Sequence, residues 1–104
     1  MSYDVSIGDF SHNITFNLSK FFRTYIYPEG LQFLDKKTGS AAAKILASAI
    51  ANITCALENS SEDIMAEHYS SPNGWGRWKD GFSFLAFLLE ACLKHPRKIV
   101  RVYS

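Results

Sequence analysis

The sequence predicts an α+β fold in which a small three-stranded antiparallel sheet, made of an N-terminal hairpin and a C-terminal strand, packs on two long helices in the order β-β-α-α-(α)-α-β. Three observations carry this. Apolar and polar residues alternate at the start of the chain. Two long stretches, Ser40–Leu57 and Trp78–Lys94, carry apolar residues at helical spacing, and the chain closes on a run rich in β-branched residues, Ile99, Val100 and Val102.

Tyr3, Val5 and Ile7 alternate with Ser2, Asp4 and Ser6, the pattern of a half-buried strand. Gly8–Ser11 reads as a turn. His12, Ile14, Phe16 and Leu18 then alternate with Asn13, Thr15 and Asn17 as a second strand, and the short connection makes the two a hairpin. Ser19 is placed to cap a short helix, Lys20–Tyr27, with Phe21, Phe22, Tyr25 and Ile26 on one side and Pro28-Glu29-Gly30 at its end. Leu31, Phe33 and Leu34 are expected to anchor the next loop to the core. Ser40–Leu57 is the clearest helix: it is alanine-dense, repeats Leu46, Ile50, Ile53 and Leu57 at helical steps, and has Thr38 or Ser40 to cap it. It is expected to be central and largely buried.

Asn59-Ser60-Ser61 breaks that helix, Glu62–Tyr69 reads as a short one, and Ser70–Gly76 as a loop. A third long helix starts at Arg77 or Trp78 and runs to Lys94, apolar nearly all round between Phe82 and Leu93, until Pro96 stops it. Lys98–Tyr103 joins the hairpin as the last strand, with Arg97, Lys98 and Arg101 blunting an otherwise exposed edge.

A chain of 104 residues, 47% hydrophobic and 14% aromatic, is expected to be one domain with a core that needs neither metal nor disulfide. Eleven Lys and Arg balance ten Asp and Glu, so there is no broad cationic field and no sequence-specific nucleic-acid partner is expected. The local run Lys94-His95-Pro96-Arg97-Lys98 lies where cations oppose a helix dipole. Cys55 and Cys92 sit in apolar helical runs and read as small buried hydrophobes in a reducing, cytoplasmic compartment. Neither has a Cys or His neighbour at zinc spacing, and no metal or cofactor is expected. Met1–Asp4 lacks the basic and apolar regions of a signal peptide, and Phe82–Leu93, read as the longest apolar segment, is too short to span a bilayer. No membrane partner is expected. The same segment is apolar on more sides than one core contact requires, which predicts a homo-oligomer if a stripe of it is exposed.

The chain carries no Gly-x-Ser-x-Gly elbow, no phosphate-cradling P-loop, and in Gly74-Trp75-Gly76 only part of a dinucleotide fingerprint. His12 is read as a hydrogen-bonded strand residue or an acid–base group. His68 has no partner at helical spacing, and His95 suits a helix C-terminus. Lys36-Lys37-Thr38-Gly39-Ser40 puts cations and hydroxyls at a helix start, where Lys36, Lys37, Thr38 and Ser40 form a weak candidate anion site. Asn13, Thr15 and Asn17 share one strand face, unremarkable if wet and a polar site if covered. Pro72-Asn73-Gly74 is turn chemistry, and Asn73 is also placed to cap the following helix. Trp78 reads as the first core contact of that helix. Trp75, held between two glycines, is a candidate contact for a ligand or partner.

Four motifs taken together, Asn13-x-Thr15-x-Asn17-x-Ser19, Leu31-x-x-Leu34-Asp35-x-x-Thr38-Gly39, Asn73-Gly74-Trp75-Gly76 and Ala91-Cys92-x-x-His95-Pro96, resemble a family of small bacteriophage and prophage proteins. The resemblance spans nearly the whole chain and implies a phage setting, in the host cytoplasm, rather than an activity. The expectation is a non-enzymatic accessory protein that binds a host protein or a small ligand, for example a component of host antiviral defence, through His12, Asn13, Asn17, Asn73, Trp75 and Trp78. The alternative is a nucleotide-like small-molecule binder, a sequestering sponge or a minor hydrolase using His12 and the Lys36–Ser40 helix start. A virion component is a third reading.

Overall fold

In the computed structural model, which describes residues 2–26, 28–59 and 77–104, β1 (Ser2–Ile7) and β2 (Phe10–Thr15) pair antiparallel through the connection Gly8-Asp9. Gly8 has φ 58°, the left-handed conformation that a two-residue II′ hairpin turn requires at its first central position. β3 (Arg101–Tyr103) adds antiparallel to the other side of β1, so the sheet order is β2-β1-β3. The α+β class and the joining of the last strand to the hairpin are as the sequence predicts.

β2 ends earlier than its alternation suggests. The Thr15 side chain accepts a hydrogen bond from the Asn17 N–H at 3.2 Å, and Phe16–Leu18 winds into a 3-10 turn that sends Leu18 into the core. Asn17 is therefore not in a strand row with Asn13 and Thr15. Ser19 is likewise no cap: it lies inside α1 (Ser19–Tyr25), and its hydroxyl is 2.9 Å from that of Tyr3. A second 3-10 stretch, Gly30–Leu34, buries Leu31 and Leu34 and packs on α1 and β3.

The two long helices are α2 (Gly39–Asn59) and α3 (Trp78–Lys94). α3 lies against β2, whereas α2 packs chiefly on α3 and α1. This corrects the expectation of a central, largely buried α2: it buries one stripe, Ala42, Ala43, Leu46, Ala49 and Ile53, and leaves Ala47, Ala51 and Cys55 exposed. Cys55 is consequently not a core residue. Cys92 is, and desolvation raises its thiol pKa to about 11. Gly39–Glu58 rather than Phe82–Leu93 is the segment long and apolar enough, with mean hydropathy 1.5, to cross a membrane by length and composition alone. The predicted helix Glu62–Tyr69 and loop Ser70–Gly76, and with them His68, Asn73 and Trp75, lie outside the described residues.

The start of α2 is locked to the end of α3. The Gly39 N–H donates to the Lys98 carbonyl at 2.8 Å, that of Ser40 to Pro96 at 2.9 Å, and that of Ala41 to the Thr38 hydroxyl at 3.2 Å. Ala42 continues with the Thr38 carbonyl, so the first-turn donors, from Gly39 to Ala42, are all engaged within the chain. Thr38 is thus the cap, and the anion site expected from Lys36, Lys37, Thr38 and Ser40 has no backbone donor left to offer. Lys36 is instead a left-handed residue, φ 69°, whose N–H holds the Val100 carbonyl, and the Lys37 ammonium sits 4.4 Å above the Phe33 ring.

The edge of β3 is closed by the same segment. The Val102 N–H donates to Asp35 Oδ1 at 2.9 Å, Gln32 Nε2 reaches the Val102 carbonyl at 3.4 Å, and Thr38 bridges to Ile99. The chain's own side chains and loop cover this edge, not the charges of Arg97, Lys98 and Arg101.

Candidate functional site

The inner face of the sheet carries Tyr3, Val5, Ile7, His12 and Ile14, since β1 and β2 residues paired across the ladder share a face. The outer face carries Ser2, Asp4, Ser6, Ser11 and Asn13. Asn13 Nδ2 donates to Ser2 Oγ at 2.7 Å and to Asp4 Oδ1 at 2.8 Å, all on that exposed face. The Asn13 side chain is therefore a polar strap on a wet surface and not part of a covered polar site.

α3 crosses the inner face near β2 and leaves an open cleft of about 390 Å³ between them. Its walls are His12, Ile14 and Leu18 on one side and Asp80, Ser83, Phe84 and Phe87 on the other, with Asn13 and Thr15 along the rim. A second lobe of about 280 Å³ continues past Phe87 to Phe10, Glu90, Lys94, His95 and Asp9. Phe87 stands where the lobes meet and is 58% exposed, although the same helix buries Phe84 completely enough to leave it 2%. His12 is exposed, but its ring packs 5.2 Å from that of Phe84 and 6.3 Å from that of Phe10. The cleft brings an imidazole, a carboxylate and a hydroxyl to one place, yet no hydrogen bond joins His12 to Asp80 or Ser83.

At the far end of the cleft, His95 Nε2 is 3.0 Å from Asp9 Oδ1, and the ring lies over Gly8, where a Cβ would come within 2.7 Å of it. The His95 hydrogen bond, the backbone bond of Asp9 itself and the His95 charge hold the Asp9 carboxyl below the usual carboxylate range. A carboxylate whose pKa is lower folded than unfolded contributes stability above its unfolded value and loses it as pH falls through the folded one, here below about 4. Asp9→Asn is accordingly expected to lower the melting temperature slightly near neutrality and to converge with wild type below the folded pKa, so that the fall with acid is flatter, as measured by thermal melts across pH. The effect is small because Asp9 is fully exposed.

Of the residues singled out from sequence, the cleft collects His12, and Asn13 only at its rim. Asn17 is an exposed residue of the 3-10 turn outside it. Trp78 is buried at the first turn of α3, edge-on to Phe82 at 6.5 Å, so it is a core residue and not a binding one. The sequence pattern does not single out Asp80, Ser83, Phe84 and Phe87, because Phe82–Leu93 reads as apolar nearly all round and Asp80 as an ordinary first-turn carboxylate. Their spacing of three, four and seven from Asp80 was the available signal: one helix stripe that mixes polar residues with large aromatics marks a rim. On the other side of α3 an apolar groove of about 380 Å³ runs along Ala43, Ala47, Leu89 and Leu93. No protein-family model, curated protein or solved structure matches this chain.

Proposed function

We propose that this protein works by binding another protein through the cleft between β2 and α3, as a non-enzymatic accessory protein of bacteriophage origin that engages a host component in the host cytoplasm. The observation that carries the binding reading is Phe87: a large aromatic, 58% exposed, at the centre of a cleft whose walls alternate apolar and polar groups. Aromatics set in such a surface are the residues on which protein interfaces concentrate their energy. The phage setting rests on the resemblance of the four motifs. The nucleotide-binding or hydrolase alternative would use the same wall, but the cleft is open and His12 has no hydrogen bond to Asp80 or Ser83, which favours a macromolecular occupant.

Phe87→Glu and Ser83→Arg change exposed positions and are expected to leave the melting temperature close to wild type while abolishing retention of a specific host protein by the immobilised chain. Equal retention by wild type and both variants would overturn the reading. So would native mass spectrometry that finds a nucleotide, and no protein, bound to the chain.

A further inference from the structure

Two basic stretches far apart in the sequence meet at one end of the molecule. The Lys36 N–H donates to the Val100 carbonyl and the Lys37 carbonyl accepts from the Val100 N–H, each at 2.8 Å, while the Gly39 N–H holds the Lys98 carbonyl. Lys36-Lys37 therefore runs alongside Arg97-Lys98 and Arg101, one strand spacing away. Against these cations the same two stretches set one carboxylate, Asp35, whose Oδ1 is taken by the Val102 N–H. The roles that the sequence suggests for the basic residues are filled by other groups: backbone carbonyls satisfy the helix-start donors, and Asp35 and Gln32 edge β3. Lys36, Arg97, Lys98 and Arg101 are all exposed, and among the described residues none of the four is paired with a carboxylate. Asn59 and Arg77, which flank residues 60–76, stand at the opposite ends of α2 and α3 from this patch.

An aromatic ring continues this surface. Arg101 and Tyr103 pair with Ser6 and Asp4, so both project from the outer face of the sheet, and Ile99 falls in the same alternation while Val100 and Val102 are buried. Tyr103 is 64% exposed. The rest of that face offers hydroxyls and an amide, Ser6, Ser11 and Asn13, and one carboxylate, Asp4, which Asn13 Nδ2 holds at 2.8 Å. Cations that alternate with an exposed ring on a flat strand surface suit a ligand that presents both phosphates and π-faces, with sugar and base edges for the hydroxyls and the amide. We propose that the outer face of the sheet, from Tyr103 across Arg101 to Lys36, Arg97 and Lys98, binds single-stranded nucleic acid without sequence preference. The same features disfavour other polyanions. A lipid surface would meet Asp4 and hydroxyls where insertion calls for apolar side chains. An acidic peptide would engage the cations and make no use of the ring, and a duplex keeps the faces of its bases stacked inside. The inference goes beyond the binding reading and does not depend on it, since the cleft lies on the inner face.

Fluorescence anisotropy of the full chain with a labelled oligodeoxythymidine of about 12 nucleotides is expected to show saturable binding at low salt. Four phosphate contacts, at about 0.7 each, predict that log affinity falls with log salt at a slope of about −3. Arg101→Glu, and separately Arg97→Gln combined with Lys98→Gln, change exposed positions and are each expected to weaken binding by about tenfold or more. The neutral pair lies outside the strand and decides the matter if Arg101→Glu disturbs β3. Tyr103→Ala is expected to weaken binding by roughly five- to 150-fold, and Tyr103→Phe, which keeps the ring, to bind like wild type. Phe87→Glu is also expected to bind the oligonucleotide like wild type. Absence of binding at low salt overturns the inference, as does binding that the Arg101, Arg97–Lys98 and Tyr103→Ala variants leave intact. So does equal or tighter binding of a duplex of the same length, or tighter binding of phosphatidylserine vesicles or polyglutamate that Tyr103→Ala does not weaken. An Arg101→Glu chain that loses the oligonucleotide but still retains the host protein separates this reading from the cleft reading.

Discussion

Gly39→Ala is expected to lower the melting temperature by roughly 5–20 °C, the result of a loss of roughly 1–3 kcal/mol from overpacking in a domain of this size. The methyl group would overlap the His95 carbonyl oxygen and come within 2.7 Å of that of Cys92. Neither neighbour is the movable end of a side chain. Both carbonyls belong to the backbone where α3 ends, and the Gly39 and Ser40 N–H groups must stay close to the Lys98 and Pro96 carbonyls to be satisfied. Relief of the overlap would part these bonds and leave donors unpaired at a helix start. Ser40→Ala is the control: the residue is exposed, keeps its N–H, and is expected to melt close to wild type.

Phe84→Ala is expected to destabilise the protein by about 3–5 kcal/mol, whereas Phe87→Ala, three residues further along the same helix, changes stability by no more than about 0.5 kcal/mol. Denaturant unfolding of the two variants checks this. The Phe84 ring is buried among Leu18, Phe22 and the sheet, with the Phe22 ring 6.0 Å away, and its removal opens a cavity that the rigid hairpin cannot close. Its other side supports His12. Phe84→Ala therefore also removes a wall of the cleft, and binding is expected to fall with it. Phe87 has little to lose in the folded chain, so the effect of Phe87→Ala is expected in partner binding alone.

The exposed cleft was only partly legible in the sequence, and for a specific reason. His12 could be singled out because a titratable ring on an apolar strand face is unusual. Asp80, Ser83 and Phe87 could not, because helical periodicity says which residues share a stripe but not which stripe finds a neighbour. The same limit applies to α2, where an alanine-dense helix reads as central and largely buried and in the fold buries one stripe. The Lys36–Ser40 stretch shows it again. Its residue types suit an anion, but the carbonyls of Pro96 and Lys98, almost sixty residues away in sequence, occupy the donors first.

What sequence alone determined is local. Period-two alternation set the hairpin, the β-branched ending set β3, and the alanine and leucine spacing set the two long helices, because each of these patterns has one backbone geometry that buries its apolar residues. Tertiary structure decided what lies between elements. It sealed the β3 edge with Asp35 and Gln32. It buried Trp78 and exposed Phe87, and it ended β2 at Thr15 so that Leu18 could enter the core. Those outcomes depend on which surfaces meet, and burial is a property of a pair of surfaces rather than of a residue and its neighbours in the chain.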